Sequence, residues 1–389
     1  MSKLKIMLLL ARADTGGAPE HVYQLIKALS SEVEFFMACP TDRPYFQRFS
    51  ALVGADHMVE IPHRKISLSA MYRVYSTVKK QKIPLMHAHG KGGGLYGRLI
   101  GLVANVKRIY TPHGMDPTAR NRFWLSESDI WLDFMMDKIS HASICVSAGE
   151  KREILACYVS KASKLVVIDN GVTMGLPRRH HAVAGQKLKL VAVSRYDAQK
   201  NPDELIEIIA SLQNRSIPGG FHLTVLGEGA GRAGFETKLS ERGLSEFVTV
   251  SGAVSDVRST FHKSDVLITT SIWEGMPLAL LEATSEGLPV VASDVVGNND
   301  IIQDGDNGLL YPLGQPERAA DQIMLLSDPE IRQRFADAGR KLVQTKHSVD
   351  FMAQQVLALY GRILRGEAPN LPSETAVDEE GQKVAGEAA

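Results

Sequence analysis

The chain has 389 residues, 44% hydrophobic and 23% charged. This balance excludes a wholly disordered, collagen-like or coiled-coil protein and suits two globular domains. Lys plus Arg and Asp plus Glu each number 44, and zero net charge argues against a dedicated nucleic-acid binder, which needs a basic excess. Cys39, Cys145 and Cys157 are widely spaced with no C-x-x-C, so reduced thiols, a cytoplasmic setting and no structural zinc are expected. No apolar run reaches the roughly 18 residues that a membrane-spanning helix needs.

The first segment, MSKLKIMLLLARA, has the lysines and apolar stretch of an export signal, but its run Ile6–Ala11 is short for one. A glycine turn and an amphipathic helix follow, with Val22, Leu25, Ile26 and Leu29 on one face. The segment is therefore read as the central strand of a parallel sheet. Further strands are expected near Val33–Ala38, His57–Ile61, Leu85–His89, Arg108–Thr111, Ser143–Ser147 and Leu165–Ile168. Helices fill the gaps, among them Leu68–Lys82 with Leu68, Met71, Tyr72, Tyr75 and Val78 as its apolar face. The pattern breaks at Pro177 and Gly185, and a second series of strands follows near Leu188–Ser194, Phe221–Leu226, Phe247–Ser251, Val266–Thr270, Pro289–Ser293 and Gly308–Tyr311. A last helix is expected near Val349–Leu364, followed by an acidic tail with little to bury.

These signals predict an α/β protein of two Rossmann-like, doubly wound parallel-sheet domains. The expected boundaries are 1–175, a linker over 176–187, a second domain over 188–346, a helix over 347–365 packing back on the first domain, and a disordered tail over 366–389. Ligands of open α/β sheets bind beyond the carboxyl ends of the strands, so the chemistry is expected in loops after strands, in a cleft that two such domains would share.

Four such loops carry polar signals. Ser271-Ile272-Trp273-Glu274-Gly275-Met276-Pro277-Leu278 follows VLITT and opens a helix that also carries Glu282. Gly275 and Pro277 suit a tight turn into a helix, whose free N–H groups can meet a phosphate. The two carboxylates can accept hydrogen bonds from sugar or ribose hydroxyls; two exposed acids on a capped helix would read the same way. Ser194-Arg195-Tyr196-Asp197-Ala198-Gln199-Lys200-Asn201-Pro202 sets two cations, Arg195 and Lys200, in one strand-to-helix loop with Asn201 as the expected cap. Such a pair matches a diphosphate, each contact being worth roughly 4 kcal/mol before desolvation, and a surface charge cluster is the plain alternative. Tyr110-Thr111-Pro112-His113-Gly114 places a histidine at a strand end, and Asp14-Thr15-Gly16-Gly17 is a glycine turn after the first strand.

In this order the segments GGAPEHVYQLIKAL, YTPHG, SRYDAQKN and SIWEGMPLALLEATSEGLPVVAS resemble the retaining glycosyltransferases of family 4, which have the GT-B fold. VIDNGV, VLGEG and IIQDGDNGLLYP support the match, which covers about residues 4–365. The resemblance implies that Arg195 and Lys200 hold the diphosphate of a nucleotide sugar, a UDP- or GDP-sugar. It implies that Glu274, with Gly275, Met276, Pro277 and Leu278, holds the donor sugar, that Glu282 holds the ribose, and that His113 touches the sugar near the reacting carbon. Gly16 and Gly17 would let backbone approach the diphosphate or acceptor, and Asp14, His89, Lys91 and Arg120 would lie on the acceptor side. The resemblance also implies that configuration is retained by same-face displacement, with no cofactor and no metal, because the two cations would stabilise the leaving group. The expected partners are a sugar nucleotide and a glycan or lipid-linked acceptor of bacterial surface-polysaccharide synthesis, with no nucleic acid. Two positions depart from the family pattern: Thr173 stands after Val172 where Asp is common, and Val296-Gly297-Asn298-Asn299-Asp300 replaces G-G-x-x-E.

Several motifs are set aside. Gly229-Ala230-Gly231-Arg232-Ala233-Gly234 is a literal G-x-G-x-x-G, but the next strand does not end in the acid a dinucleotide needs. Gly90-Lys91-Gly92-Gly93-Gly94 lacks the spacing of a phosphate-cradling loop, and Asp304-Gly305-Asp306 reads as a turn rather than a metal-binding D-x-D. His87 and His89 share one side of a strand with no third ligand in view, so packing is expected. Arg64, Lys65, Arg73, Lys79, Lys80 and Lys82 lie in an acid-free stretch that could meet anionic inner-leaflet lipid, or could be an ordinary solvated face. Arg120, Arg122, Phe123 and Trp124 are a second such candidate. Alternatives to a transferase are a sugar-nucleotide 2-epimerase of the same architecture, which lacks E-x7-E in this setting, and an inactive GT-B scaffold, against which the full set of charged site residues argues.

Overall fold

The computed structural model describes residues 3–114, 125–157, 160–176, 186–254 and 256–370. They fall into two compact units, Met1–Asp169 with Val349–Ala389, and Asn170–Ser348.

The first unit has a seven-stranded, wholly parallel sheet: β1 Leu4–Leu10, β2 Val33–Cys39, β3 Met58–Glu60, β4 Leu85–His89, β5 Lys107–Thr111, β6 Ala142–Cys145 and β7 Leu165–Val167, in spatial order β3-β2-β1-β4-β5-β6-β7. Between the strands run α1 Gly17–Leu29, α2 Tyr45–Val53, α3 Leu68–Lys80, α4 Gly90–Ala104, α5 Leu125–Lys138 and α6 Ala148–Ala156. The segment that imitates an export signal is β1, an interior strand that lies third in the spatial order. Ile6 and Leu8 point to a core with α1, while Met7 and Leu9 join a core that includes Val74, Val78 and Ile100. Burial on both faces is why the run is continuously apolar.

The face of α3 differs from the one expected. Ala70, Val74 and Val78 are buried, with Met71 and Tyr75 packed at the edge, whereas Leu68 and Tyr72 stand in solvent. Small Ala70 is what lets the helix lie on the sheet, and counting only large apolar residues rotated the predicted face. The glycine run 90–94 is the start of helix α4. A Cβ on Gly93 would stand 2.7 Å from Leu9 O, and one on Gly97 2.6 Å from Ala88 Cβ, so the glycines serve close helix–sheet packing.

The second unit has a six-stranded parallel sheet: β8 Leu188–Val193, β9 Phe221–Leu226, β10 Val248–Ser251, β11 Val266–Thr269, β12 Val290–Ser293 and β13 Leu309–Tyr311, ordered β10-β9-β8-β11-β12-β13. Its helices are α7 Pro202–Gln213, α8 Arg232–Glu241, α9 Arg258–Phe261, α10 Leu278–Ser285, α11 Pro316–Leu325 and α12 Pro329–Lys346. The last helix, α13 Val349–Arg365, belongs to the first unit, where Met352, Val356, Leu359, Tyr360 and Ile363 enter the core beside α1. Thr173 and Gly175 are tied to the second unit through Arg258 Nη2 to Thr173 O (2.8 Å) and Arg340 Nη1 to Gly175 O (3.0 Å). Residues 170–175, expected in the first domain, belong to the second unit, and 177–185 of the expected linker and most of the expected tail, 371–389, lie outside the described residues.

In each sheet the strand order reverses at one point, between β1 and β4 and between β8 and β11. Such switch points are where loops part at the carboxyl edge and leave a crevice for a ligand.

Candidate active site

The loops after β8 and β11 meet at the second unit's switch point. Lys200 Nζ lies 2.5 Å from Glu274 Oε1, and both side chains are largely buried. Ser271, fully buried, donates its hydroxyl to the same oxygen at 2.7 Å. Among the described residues, Glu274 Oε2 has only a 3.5 Å contact from Gln199 Nε2, which also donates to Trp273 O at 3.0 Å. Arg195 closes the chain: its Nη2 donates to Gln199 Oε1 at 2.8 Å and its Nε pairs with Asp197 Oδ2 at 2.7 Å. Arg195, Lys200 and Glu274 are thus one connected network, with Gln199, Asp197 and Ser271 as members that the charge pattern alone did not single out. One carboxylate oxygen holds two strong donors, and the other keeps its acceptor capacity.

Glycines let these loops come together. A Cβ on Gly227 (φ 147°) would stand 2.0 Å from Ser194 O, and ones on Gly229 and Gly231 would crowd Tyr196 N at 2.9 Å and Tyr196 O at 2.5 Å. The literal G-x-G-x-x-G therefore seats one loop against another, and its third glycine, Gly234, has open space. Gly297 (φ 89°) likewise lies against Glu274, whose N–H donates to Val296 O at 3.1 Å. Asp300, where the family has a longer acid, accepts from Gly297 N at 3.1 Å. Asn201 sits at the N-cap position of α7 with left-handed backbone but makes no side-chain cap; its Nδ2 donates to Glu204 instead. Pro277 is the N-cap of α10 rather than its first helical residue, so Leu278 begins the helix and Glu282 is its fifth residue. Met276 is buried and held by Asn170 of the VIDNGV segment, Nδ2 to Met276 O at 2.8 Å. Asp304 accepts from Leu310 N at 2.8 Å within a turn.

The first unit's switch point holds four histidines. His87 and His89 lie on β4, His21 on α1, and His113 follows β5 with a positive φ of 64°. His87 is spent on structure, with Nδ1 2.7 Å from Tyr360 Oη and Nε2 2.8 Å from Thr111 Oγ1. His89 Nδ1 lies 2.9 Å from His113 Nε2, while His89 Nε2 is buried without a hydrogen-bond partner among the described residues. Burial, then the neighbouring imidazoles, push His87, His89 and His113 well below the usual histidine range, so these rings are neutral near pH 7. His87 is packed and hydrogen-bonded within the unit, while one nitrogen each of His21, His89 and His113 lie within 4.8 Å of one another, a trio that could hold a metal ion. The strained turn at His113 is fixed by Glu150, which accepts from Gly114 N at 2.5 Å and Val146 N at 2.7 Å. Asp14 is paired with Arg12 (2.6 Å) beside Gly16, which caps α1 in extended conformation ahead of Gly17. Lys91 lies in the first turn of α4. Arg120, Arg122, Phe123 and Trp124 lie outside the described residues.

Two all-parallel Rossmann-like units, each with its polar cluster at a switch point, define the GT-B class. The chain belongs to the glycosyltransferases: residues 15–175 match the family model Glycosyltransferase Family 4 and residues 177–342 match Glycosyl transferases group 1. The chain is 26% identical to the Escherichia coli UDP-Gal:alpha-D-GlcNAc-diphosphoundecaprenol alpha-1,3-galactosyltransferase, over 69% of this chain and 73% of that protein. It is also 26% identical to the putative glycosyltransferase EpsD of Bacillus subtilis, over 77% and 87%. Among solved structures, Anabaena HepE in complex with UDP and glucose superposes with a TM-score of 0.79 at 17% identity, covering 92% of this chain and 99% of that one.

Proposed function

We propose that the protein is a retaining, metal-independent hexosyltransferase that moves a sugar from a UDP- or GDP-sugar to a glycan or lipid-linked acceptor in bacterial surface-polysaccharide synthesis. The observation that carries the reading is the Arg195–Gln199–Glu274–Lys200 network. It offers fixed cations for a diphosphate and one unsaturated carboxylate oxygen for sugar hydroxyls, within a single loop cluster. In this reading Arg195 and Lys200 bind the diphosphate and stabilise charge as the bond between the anomeric carbon and the diphosphate oxygen breaks. The acceptor hydroxyl attacks from the same face and passes its proton to the departing diphosphate. Glu274 Oε2 accepts from the donor sugar, Gly275 to Leu278 shape that pocket, and Glu282 takes the ribose. His113, neutral and held by its turn, meets a sugar hydroxyl, while Gly16 and Gly17 give backbone access. The acceptor and pathway are supported by the likeness to the E. coli galactosyltransferase that acts on diphosphoundecaprenol-linked GlcNAc.

The test is product stereochemistry. Purified protein incubated with a panel of α-linked UDP- and GDP-sugars and a polyprenyl-diphosphate sugar should yield an α-linked product by NMR, at a rate unchanged by a chelator. A β-linked product would refute retention. Loss of rate on chelation would refute metal independence and direct attention to His21, His89 and His113.

A further inference from the structure

The first unit contains a cavity of about 240 Å³ at the carboxyl edge of β1 and the start of α4. Arg64, Lys65 and Lys91 line it, with Ile66, Leu95 and Met136 as apolar wall. The one acid among its described lining residues, Asp133, is paired with Arg98 at 3.2 Å, so it does not offset Arg64 and Lys65. Arg64 and Lys65 are exposed. Their loop is nevertheless held in place: Arg64 N donates to Ala11 O at 3.1 Å, and Tyr96 Oη donates to Lys65 O at 2.8 Å while accepting from Ser67 N at 2.7 Å.

Beside this charge stand apolar side chains that the fold leaves in water. Ile66 and Leu132, both lining the cavity, are 65% and 40% exposed, and Leu68, Tyr72 and Trp131 on the same segments are 82%, 70% and 63% exposed. Residues 63–82 carry no Asp or Glu, and Arg73, Lys79 and Lys80 share the exposed side of α3. Exposed aliphatic and aromatic groups set among cations match the boundary of an anionic bilayer. A polar cavity alone would need no such apolar rim, and a protein partner would not require an acid-free stretch.

Resting on the transferase reading above, we propose that this cavity receives the diphosphate headgroup of a lipid-linked acceptor, with Arg64, Lys65 and Lys91 on the phosphates and Ile66, Leu68 and Tyr72 dipped into the lipid that carries it. The charge of the headgroup complements the three cations, and its lipid chain leaves along the apolar rim.

Vesicle sedimentation tests this, with phosphatidylcholine vesicles carrying equal charge as either phosphatidylglycerol or a long-chain polyprenyl diphosphate. Wild-type protein should bind the polyprenyl diphosphate vesicles about tenfold more tightly, a margin of roughly 1.4 kcal/mol. Arg64→Glu with Lys65→Glu should remove that margin, and Ile66→Ser with Leu68→Ser and Tyr72→Ser should weaken binding to both compositions. Melting temperatures close to wild type would show that these surface variants fold. Equal binding to the two compositions, or a margin that survives charge reversal, overturns the proposal. Titration with nucleotide sugars on the same wild-type preparation separates the two readings. Donor binding without vesicle preference refutes the cavity alone, and absence of donor binding refutes the transferase reading beneath it.

Discussion

Glu274 shows how one side chain can be both anchored and available. Its Oε1 accepts from Lys200 and Ser271, and among the described residues its Oε2 has only the long contact from Gln199. Replacing it with Gln removes the charge that balances a largely buried lysine and puts a donor where an acceptor is needed. Glu274→Gln should lower kcat about 10²-fold, on the scale of losing one preorganised group, measured as steady-state nucleotide release; a rate within twofold of wild type would deny Glu274 that role. Arg195, Lys200 and Glu274 were legible in the sequence because charge in a loop after a strand is informative by itself. Gln199 and Ser271 were not, since a neutral side chain acquires a role only through the neighbour it reaches. His21 was hidden similarly: it sits on an amphipathic helix, and only the topology brings it to His89 and His113.

At the level of elements, glycines decide how closely loops meet. Gly227→Ala should destabilise by about 1–3 kcal/mol and weaken donor binding, because its Cβ would collide with Ser194 O at a φ of 147°. Gly234→Ala, in an exposed turn of α8 with open space, should instead stabilise by about 0.5–1 kcal/mol. Denaturant unfolding with a nucleotide-sugar titration reads both, and matching signs for the two would refute the packing account. Strands and their order of appearance were legible because buried parallel strands have continuous apolar runs. The face of α3 was not, since the residue that lets it approach the sheet is a small alanine and the larger Leu68 and Tyr72 stay outside.

For the molecule as a whole, buried histidines set an acid limit. Burial, helped by Arg108, Lys107 and Lys164, lowers His141 to about 4, and its Nδ1 accepts from Arg108 N at 3.2 Å; burial with Lys346 lowers His347 to about 4. Both folded values lie below the ordinary 6.5, so below that pH the unfolded chain binds protons that the folded chain does not. Their contribution is present above 6.5 and lost as pH falls towards 4. His87, His89 and His113 act with the same sign. The melting temperature should fall between about pH 7.5 and about pH 5, and His141→Asn should reduce that fall; a flat profile would contradict the assignment. The units divide at Asp169/Asn170, ahead of the break near Pro177, and the expected return of the last helix is made by α13, whose Tyr360 enters the first unit's core and bonds His87.

The central claim is that Arg195 and Lys200 stabilise a departing nucleotide diphosphate. Turnover of the preferred nucleotide sugar by Arg195→Ala and Lys200→Ala, each with a wild-type fold by circular dichroism, tests it most directly. The account predicts kcat reduced roughly 10²–10³-fold in each; rates near wild type in both would contradict it.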